Sequence, residues 1–242
     1  MYSKNDVIYC TGGSRAATLN NRAAKLMGEG NYQSAAKELS EGLTHAPLFY
    51  PYRYNIGICH IHLTDYKMAL LNLRKAMEIF PEYSKTYIQI GYIYQRSNKD
   101  DIAIEYYRKA LARNNKELRV FSLIGDIYFD RNQLEMAKKY YEASLNLKPR
   151  NGRGLLGMAK LHYKRKEYYK SIVQIKSIAP GSEYDISLHY YYAECAYKLQ
   201  DYQTAYDEYN ILLKYKNDKF FLTNSVGLIK HKLDLCRRFI ER

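Results

Sequence analysis

The chain lacks most of the features that mark catalysts and membrane proteins. No stretch of its 242 residues approaches the length of a membrane span, and the first fifteen lack the apolar run of a signal peptide. That favours the cytoplasm, while an export signal upstream of residue 1 stays compatible with the sequence. Val7-Ile8-Tyr9-Cys10 is a poor echo of a lipoprotein processing site, because bulky Tyr9 precedes the cysteine and no apolar segment leads up to it. The four cysteines, Cys10, Cys59, Cys195 and Cys236, form no CxxC pair, which leaves a zinc ribbon or dithiol redox site without support. His60 and His62 are two apart and so point to different sides of a helix, where they cannot share a metal. No glycine-rich phosphate loop, nucleophile elbow or pair of catalytic carboxylates stands out. The expectation is therefore a protein that is not an enzyme and needs neither metal nor cofactor. Prolines are few, only five, in a chain otherwise rich in helix formers.

What is present is a 34-residue period repeated six times without insertion, with units beginning at Ala16, Tyr50, Ser84, Leu118, Gly152 and Ile186. A fixed period of this length signals stacked helical hairpins, which commonly present a binding surface. Within each unit the apolar residues define two helices. Tyr87, Ile90, Gly91 and Tyr94 fall at i, i+3, i+4 and i+7; after the break at 97–100, Ala103, Tyr107, Ala110 and Leu111 form a second stripe. Small residues recur at the eighth position (Ala23, Gly57, Gly91, Gly125, Ala159, Ala193) and at the twentieth (Ala35, Ala69, Ala103, Ala137, Ser171, Ala205). Two helices can approach closely only where side chains are no larger than these. Pro47, Pro81 and Pro149 occupy the thirty-second position, where they end the second helix.

This pattern of small residues, aromatics at positions eleven, seventeen and twenty-four, and proline at thirty-two resembles the tetratricopeptide repeat family. The resemblance covers residues 16–219, as units 16–49, 50–83, 84–117, 118–151, 152–185 and 186–219. It departs at position four, where Arg53 and His189 stand. Asn115 and Glu183 replace the closing proline, and Pro180 comes early, which puts the end of that second helix near Ile178. Residues 1–15 read as a flexible or atypical extension. Residues 220–242, with Leu222, Val226, Ile229, Leu233 and Phe239 at helical spacing, read as an amphipathic capping helix.

The resemblance implies an all-α fold, a right-handed α-solenoid superhelix of antiparallel helix hairpins with no sheet, whose first helices line a concave groove. It also implies a scaffold or adaptor that holds a protein segment there. Positions two, five, nine, twelve and thirteen of each first helix would face inward, and on this chain that set is basic on balance with interleaved tyrosines. The candidate peptide-binding residues are Tyr54, Asn55, Lys85, Gln89, Tyr92, Arg96, Arg119, Ser122, Asp126, Arg153, Lys160, Tyr163 and Tyr190. An inward asparagine such as Asn55 suits hydrogen bonding to the backbone of an extended ligand. Some family members clamp a chaperone's terminal carboxylate. At the corresponding places this chain has Asn20, Ala24, Asn55, Lys85 and Gln89, and only Asn55 and Lys85 match, so such a clamp is not expected. The net charge of +13 suits an acidic protein or peptide partner. Nucleic acid is the weaker alternative, because positions two, five and nine vary without a recurring code. Self-association, or docking through the outer face, is the second reading.

Overall fold

The computed structural model describes residues 2–4, 6–178, 185–215 and 226–241. It contains two short strands, β1 (Tyr2–Lys4) and β2 (Val7–Tyr9), followed among the described residues by thirteen helices. The helices are α1 (Arg15–Gly28), α2 (Tyr32–His45), α3 (Tyr50–His62), α4 (Tyr66–Ile79), α5 (Ser84–Arg96), α6 (Asp100–Arg113) and α7 (Leu118–Asp130). Then come α8 (Leu134–Leu147), α9 (Gly152–Lys164), α10 (Tyr168–Lys176), α11 (Asp185–Lys198), α12 (Tyr202–Lys214) and α13 (Val226–Ile240). The chain packs as two compact units, Met1–Val120 and Phe121–Arg242, and the division falls within α7.

The all-α repeat class is as expected, and the register is that of the sequence period. Second helices start at 32, 66, 100, 134, 168 and 202, each at the seventeenth position of its unit. The turn before them is equally periodic. Gly30, Thr64, Asn98, Asn132, Lys166 and Gln200 all have φ between 56° and 83°. At each turn the next N–H donates back five residues, as in Asp65 to His60 and Lys99 to Tyr94. This left-handed residue closes the first helix by satisfying carbonyls that have no further helical partner. Only the first unit uses glycine there; the others accept the strain of a side chain, most of all β-branched Thr64.

Small residues do the expected packing. A Cβ on Gly57 would lie 2.6 Å from Leu73, and on Gly91 2.6 Å from Tyr107. The large residue at position twenty-four thus occupies the space the small one leaves. Ser171, the one non-alanine at position twenty, is fully buried and donates its hydroxyl to Ala159 O at 2.8 Å. The two departures at position four are compensated alike. Arg53 donates to Asn72 Oδ1 at 3.0 Å and His189 Nδ1 lies 2.5 Å from Glu208 Oε2, each partner being nineteen residues on. The prolines at 47, 81 and 149 directly follow the caps of α2, α4 and α8.

Two features go beyond the sequence reading. Strands β1 and β2 pair antiparallel, with Tyr2 opposite Tyr9, Ser3 opposite Ile8 and Lys4 opposite Val7, and Asp6 has φ 64° just before β2. Three-residue strands are too short to carry a period-two signal, so the expectation of no sheet misses them. At the other end α13 lies on α12, burying Ile229 and Cys236 and stacking Phe239 on Tyr202 at 4.4 Å. The helix α10 ends at Lys176, close to the break expected near Ile178. Pro180, Glu183 and Leu222 lie outside the described residues.

Candidate functional site

In the first unit the first-helix face is already occupied. Strand β2 packs on α1 and α3, and the main chain of Ile8 is held by two asparagines. Ile8 N–H donates to Asn55 Oδ1 at 2.9 Å, and Ile8 C=O accepts from Asn55 Nδ2 at 2.9 Å and Asn20 Nδ2 at 2.8 Å. Asn55 Nδ2 also donates to Asn20 Oδ1 at 2.9 Å, which fixes both amides. Ile8 sits opposite Ser3 with its N–H and C=O turned away from β1, so the asparagines stand where a further strand would. Two residues on, Asn21 repeats the arrangement: Cys10 N–H donates to Asn21 Oδ1 at 2.7 Å, and Asn21 Nδ2 to Cys10 C=O at 2.8 Å. Val7, Ile8 and Cys10 are buried.

Just before β2, Asp6 Oδ2 accepts from Arg119 Nη1 at 2.6 Å. Beside this pair lies Tyr54, which the sequence places on an open face and the structure places wholly inside, its ring 5.3 Å from that of Tyr83. Burial raises the Tyr54 pKa well above its ordinary value; Tyr83 and Asp6 add to this, while Gln89 and Arg119 offset it. The Tyr54 hydroxyl, Gln89 Nε2 and Arg119 Nε are all buried without a hydrogen-bond partner. Lys85 and Tyr92 are half-buried, and Arg96 is exposed, its pKa raised by a hydrogen bond with Tyr66.

In the second unit the first-helix face is held by carboxylates. Asp126 accepts from Tyr141 Oη at 2.8 Å and from Lys160 Nζ at 3.1 Å, and that ammonium lies 5.2 Å from the Phe129 ring. Glu194, only 3% exposed, accepts from Tyr209 Oη at 2.7 Å, from Tyr163 Oη at 3.0 Å and from Lys232 of α13. Burial, then the nearby carboxylate, pushes Tyr141, Tyr163 and Tyr209 upward, so all three stay protonated donors. Tyr190 and Tyr191 meet edge to face at 5.3 Å, and each is pushed up to about 12. Ser122 is fully buried, 3.5 Å from Ser144 Oγ, and Arg153 is half-buried.

The expected candidates thus fall into three situations. Tyr54, Asn55, Gln89 and Ser122 are buried; Arg119, Asp126, Lys160 and Tyr163 are tied to partners within their own unit; Lys85, Tyr92, Arg96, Arg153 and Tyr190 remain half-buried or exposed. Sequence reasoning misses Asn20 and Asn21 as holders of main chain, Asp6 as the partner of Arg119, and Glu194 as an anchor. Glu194 falls at an inward position, but counting it as one unit of charge hides that it binds a cation of the same chain.

Among the described residues no three His, Cys, Asp or Glu side chains gather into a metal site, and no helix is long and apolar enough to cross a membrane. All four cysteines are free and buried, and burial pushes Cys59 up to about 12 and Cys195 to about 11, far from the reactive thiolate.

A family profile described as tetratricopeptide repeat matches residues 50–83, 84–117 and 118–151. The chain is 31% identical over 91 residues to the Hsp70-Hsp90 organising protein of Plasmodium falciparum, a match covering 35% of this chain and 16% of that one. It is 27% identical over 98 residues to small glutamine-rich tetratricopeptide repeat-containing protein 2 of Saccharomyces cerevisiae, covering 40% and 28%. The matches span less than a third of the length of these curated relatives. Among solved structures, pilF of Pseudomonas aeruginosa superposes with a TM-score of 0.71 at 20% identity, over 84% of this chain and 90% of that one. At that identity the likeness is one of fold.

Proposed function

Starting from a chain that belongs to the tetratricopeptide repeat family, and is in general terms a protein-interaction scaffold, we propose that it binds an extended protein segment along its first-helix face. The observation that supports this is the hold on Ile8. On that residue Asn20 and Asn55 bond main-chain groups, and the Asn55 amide both donates and accepts. Such a hold reads backbone conformation, as strand addition does at a sheet edge, while the burial of Val7 and Ile8 favours apolar side chains. In the same unit, Tyr92 and Arg96 of α5 add a half-buried ring and an exposed charge able to select a partner with acidic side chains. The proposal is of a binding protein with no catalytic step.

Replacing Tyr92→Ala together with Arg96→Glu tests this. Neither residue belongs to the buried core, so the circular dichroism spectrum should be unchanged. Proteins that co-purify with the parent from its native cells should be lost, and the parent's capture should weaken with added salt. Undiminished capture by the double variant overturns the first-helix face as the site.

A second reading, docking through the second helices, is favoured by Tyr169 and Val173 on α10. They lie four residues apart and are 73% and 62% exposed. Loss of capture on Tyr169→Ser with Val173→Ser, but not on changing Tyr92 and Arg96, would select it.

A further inference from the structure

We propose that residues 6–10 are a displaceable resident of the binding face, and that the external partner is an extended segment of the same chemistry, an acidic residue followed directly by two apolar residues. The proposal rests on the first-helix face being the binding face, and it adds what competes there and what is selected. The resident segment reads Asp6-Val7-Ile8-Tyr9-Cys10. Its main chain is gripped at residues 8 and 10 by Asn55, Asn20 and Asn21, its two apolar side chains are buried, and its acid meets Arg119. Each of these contacts would serve a second chain equally well.

Two further observations point to displacement rather than a permanent seam. The link to α1 passes through Gly12 and Gly13, both exposed, where a Cβ would meet nothing within 4 Å, and Gly12 has φ +111°. A joint of this kind lets the segment leave without disturbing α1, whose first turn is capped separately by Ser14 accepting from Ala17 N–H at 3.1 Å. Moreover, the resident leaves its own site under-supplied with acceptors. Tyr54 Oη, Gln89 Nε2 and Arg119 Nε are buried with no hydrogen-bond partner, although Nη1 of the same guanidinium meets Asp6. Buried donors without partners are costly, and a partner bringing more carboxylate oxygen to this point than Asp6 does would recover that cost. A ligand that supplies those acceptors can replace the resident even though Val7 and Ile8 are buried.

The probe is a fluorescein-labelled synthetic peptide of residues 2–11 carrying Cys10→Ser, with binding read by fluorescence anisotropy. The full-length chain should bind it at least about tenfold more weakly than the full-length Ile8→Asp variant, in which a buried charge expels the resident. Adding Asn55→Ala to that variant should abolish binding, and a peptide carrying Asp6→Lys should fail to bind. A folded Ile8→Asp chain that binds no more tightly than the parent overturns the proposal. Hydrogen exchange on the unaltered chain gives an answer independent of any variant. The Ile8 amide should exchange at least about a hundredfold faster than the core amides of α3; exchange at the same rate as α3 means a permanent seam and also overturns it. If these fail while the Tyr92/Arg96 variant still loses its partners, the binding face stands and only the resident-ligand proposal falls. If the Tyr92/Arg96 variant also keeps its partners, both fall.

Discussion

The two compact units use the same repeat, yet their first-helix faces solve different problems. In residues 1–120 three amides, Asn20, Asn21 and Asn55, hold main chain. In residues 121–242 two carboxylates, Asp126 and Glu194, hold tyrosine hydroxyls and lysines. An amide both donates and accepts, and so matches the N–H and C=O of a single residue. An ionised carboxylate only accepts, so it gathers donors from neighbouring helices instead. The first arrangement holds the chain's own Ile8 and Cys10 main chain; the second staples helices together. One repeat thereby carries two kinds of polar contact, by exchange of nitrogen for oxygen at a few positions.

High pH should break this contrast most completely. A tyrosine whose folded pKa is raised above its ordinary value near 10 contributes stability that is intact below pH 10. That stability is lost as pH rises through the folded value. Tyr190 and Tyr191 reach about 12, and Tyr141, Tyr163 and Tyr209 go higher, next to carboxylates that repel a phenolate. Denaturant midpoints should be flat from pH 7.5 to about 10 and then fall steeply, with hydrogen exchange rising in both units, since burial raises Tyr54 in the first as well. A midpoint that stays flat above pH 10 would show that these hydroxyls are not held protonated by the fold.

Glu194→Ala should come next, costing about 3–5 kcal/mol, because it strands the Lys232 ammonium and two tyrosine hydroxyls in a largely dry site. A melting temperature within a degree or two of the parent's would show that Glu194 is not an anchor. Overpacking should cost both units alike. Gly91→Leu would drive a side chain into Tyr107, and Gly157→Leu into Tyr141, whose ring lies 2.4 Å from the Cβ position. Each should lose about 1–3 kcal/mol or more in urea unfolding, and one tolerant unit would mean that the shared hairpin packing is not shared. Smallest of all should be Asp6→Ala and Lys109→Ala. The first breaks a pair whose side chains are 29% and 41% exposed, worth about 0.2–1 kcal/mol. The second removes an exposed i,i+4 partner of Glu105 and should stay within about 0.5 kcal/mol. A large stability loss at Asp6 would make the hairpin part of the folding core.

The sequence shows the helices more fully than it shows the site, and particular residues say why. Gly91 with Tyr107, or Ala103 at the hairpin crossing, are choices forced by contacts within one unit, and they recur every 34 residues, so six copies average out local exceptions. The turn residue at position fifteen is periodic in conformation but not in identity, running from Gly30 to Lys166, and so is invisible to pattern reading. Tyr54 and Lys160 illustrate the harder loss. Their positions are inward on the repeat, but whether an inward side chain is open depends on what lies over it. For Tyr54 the ring beside it is that of Tyr83, twenty-nine residues later, and for Lys160 the partner is Asp126, thirty-four residues earlier.

By itself the sequence determined the repeat length and the small-against-large packing, because those obey short-range rules of helical spacing and steric fit. Only the tertiary structure decided which inward groups are free. Hydrogen bonds and charges are satisfied by whatever the fold brings within about 3 Å, and sequence separation carries no record of that distance.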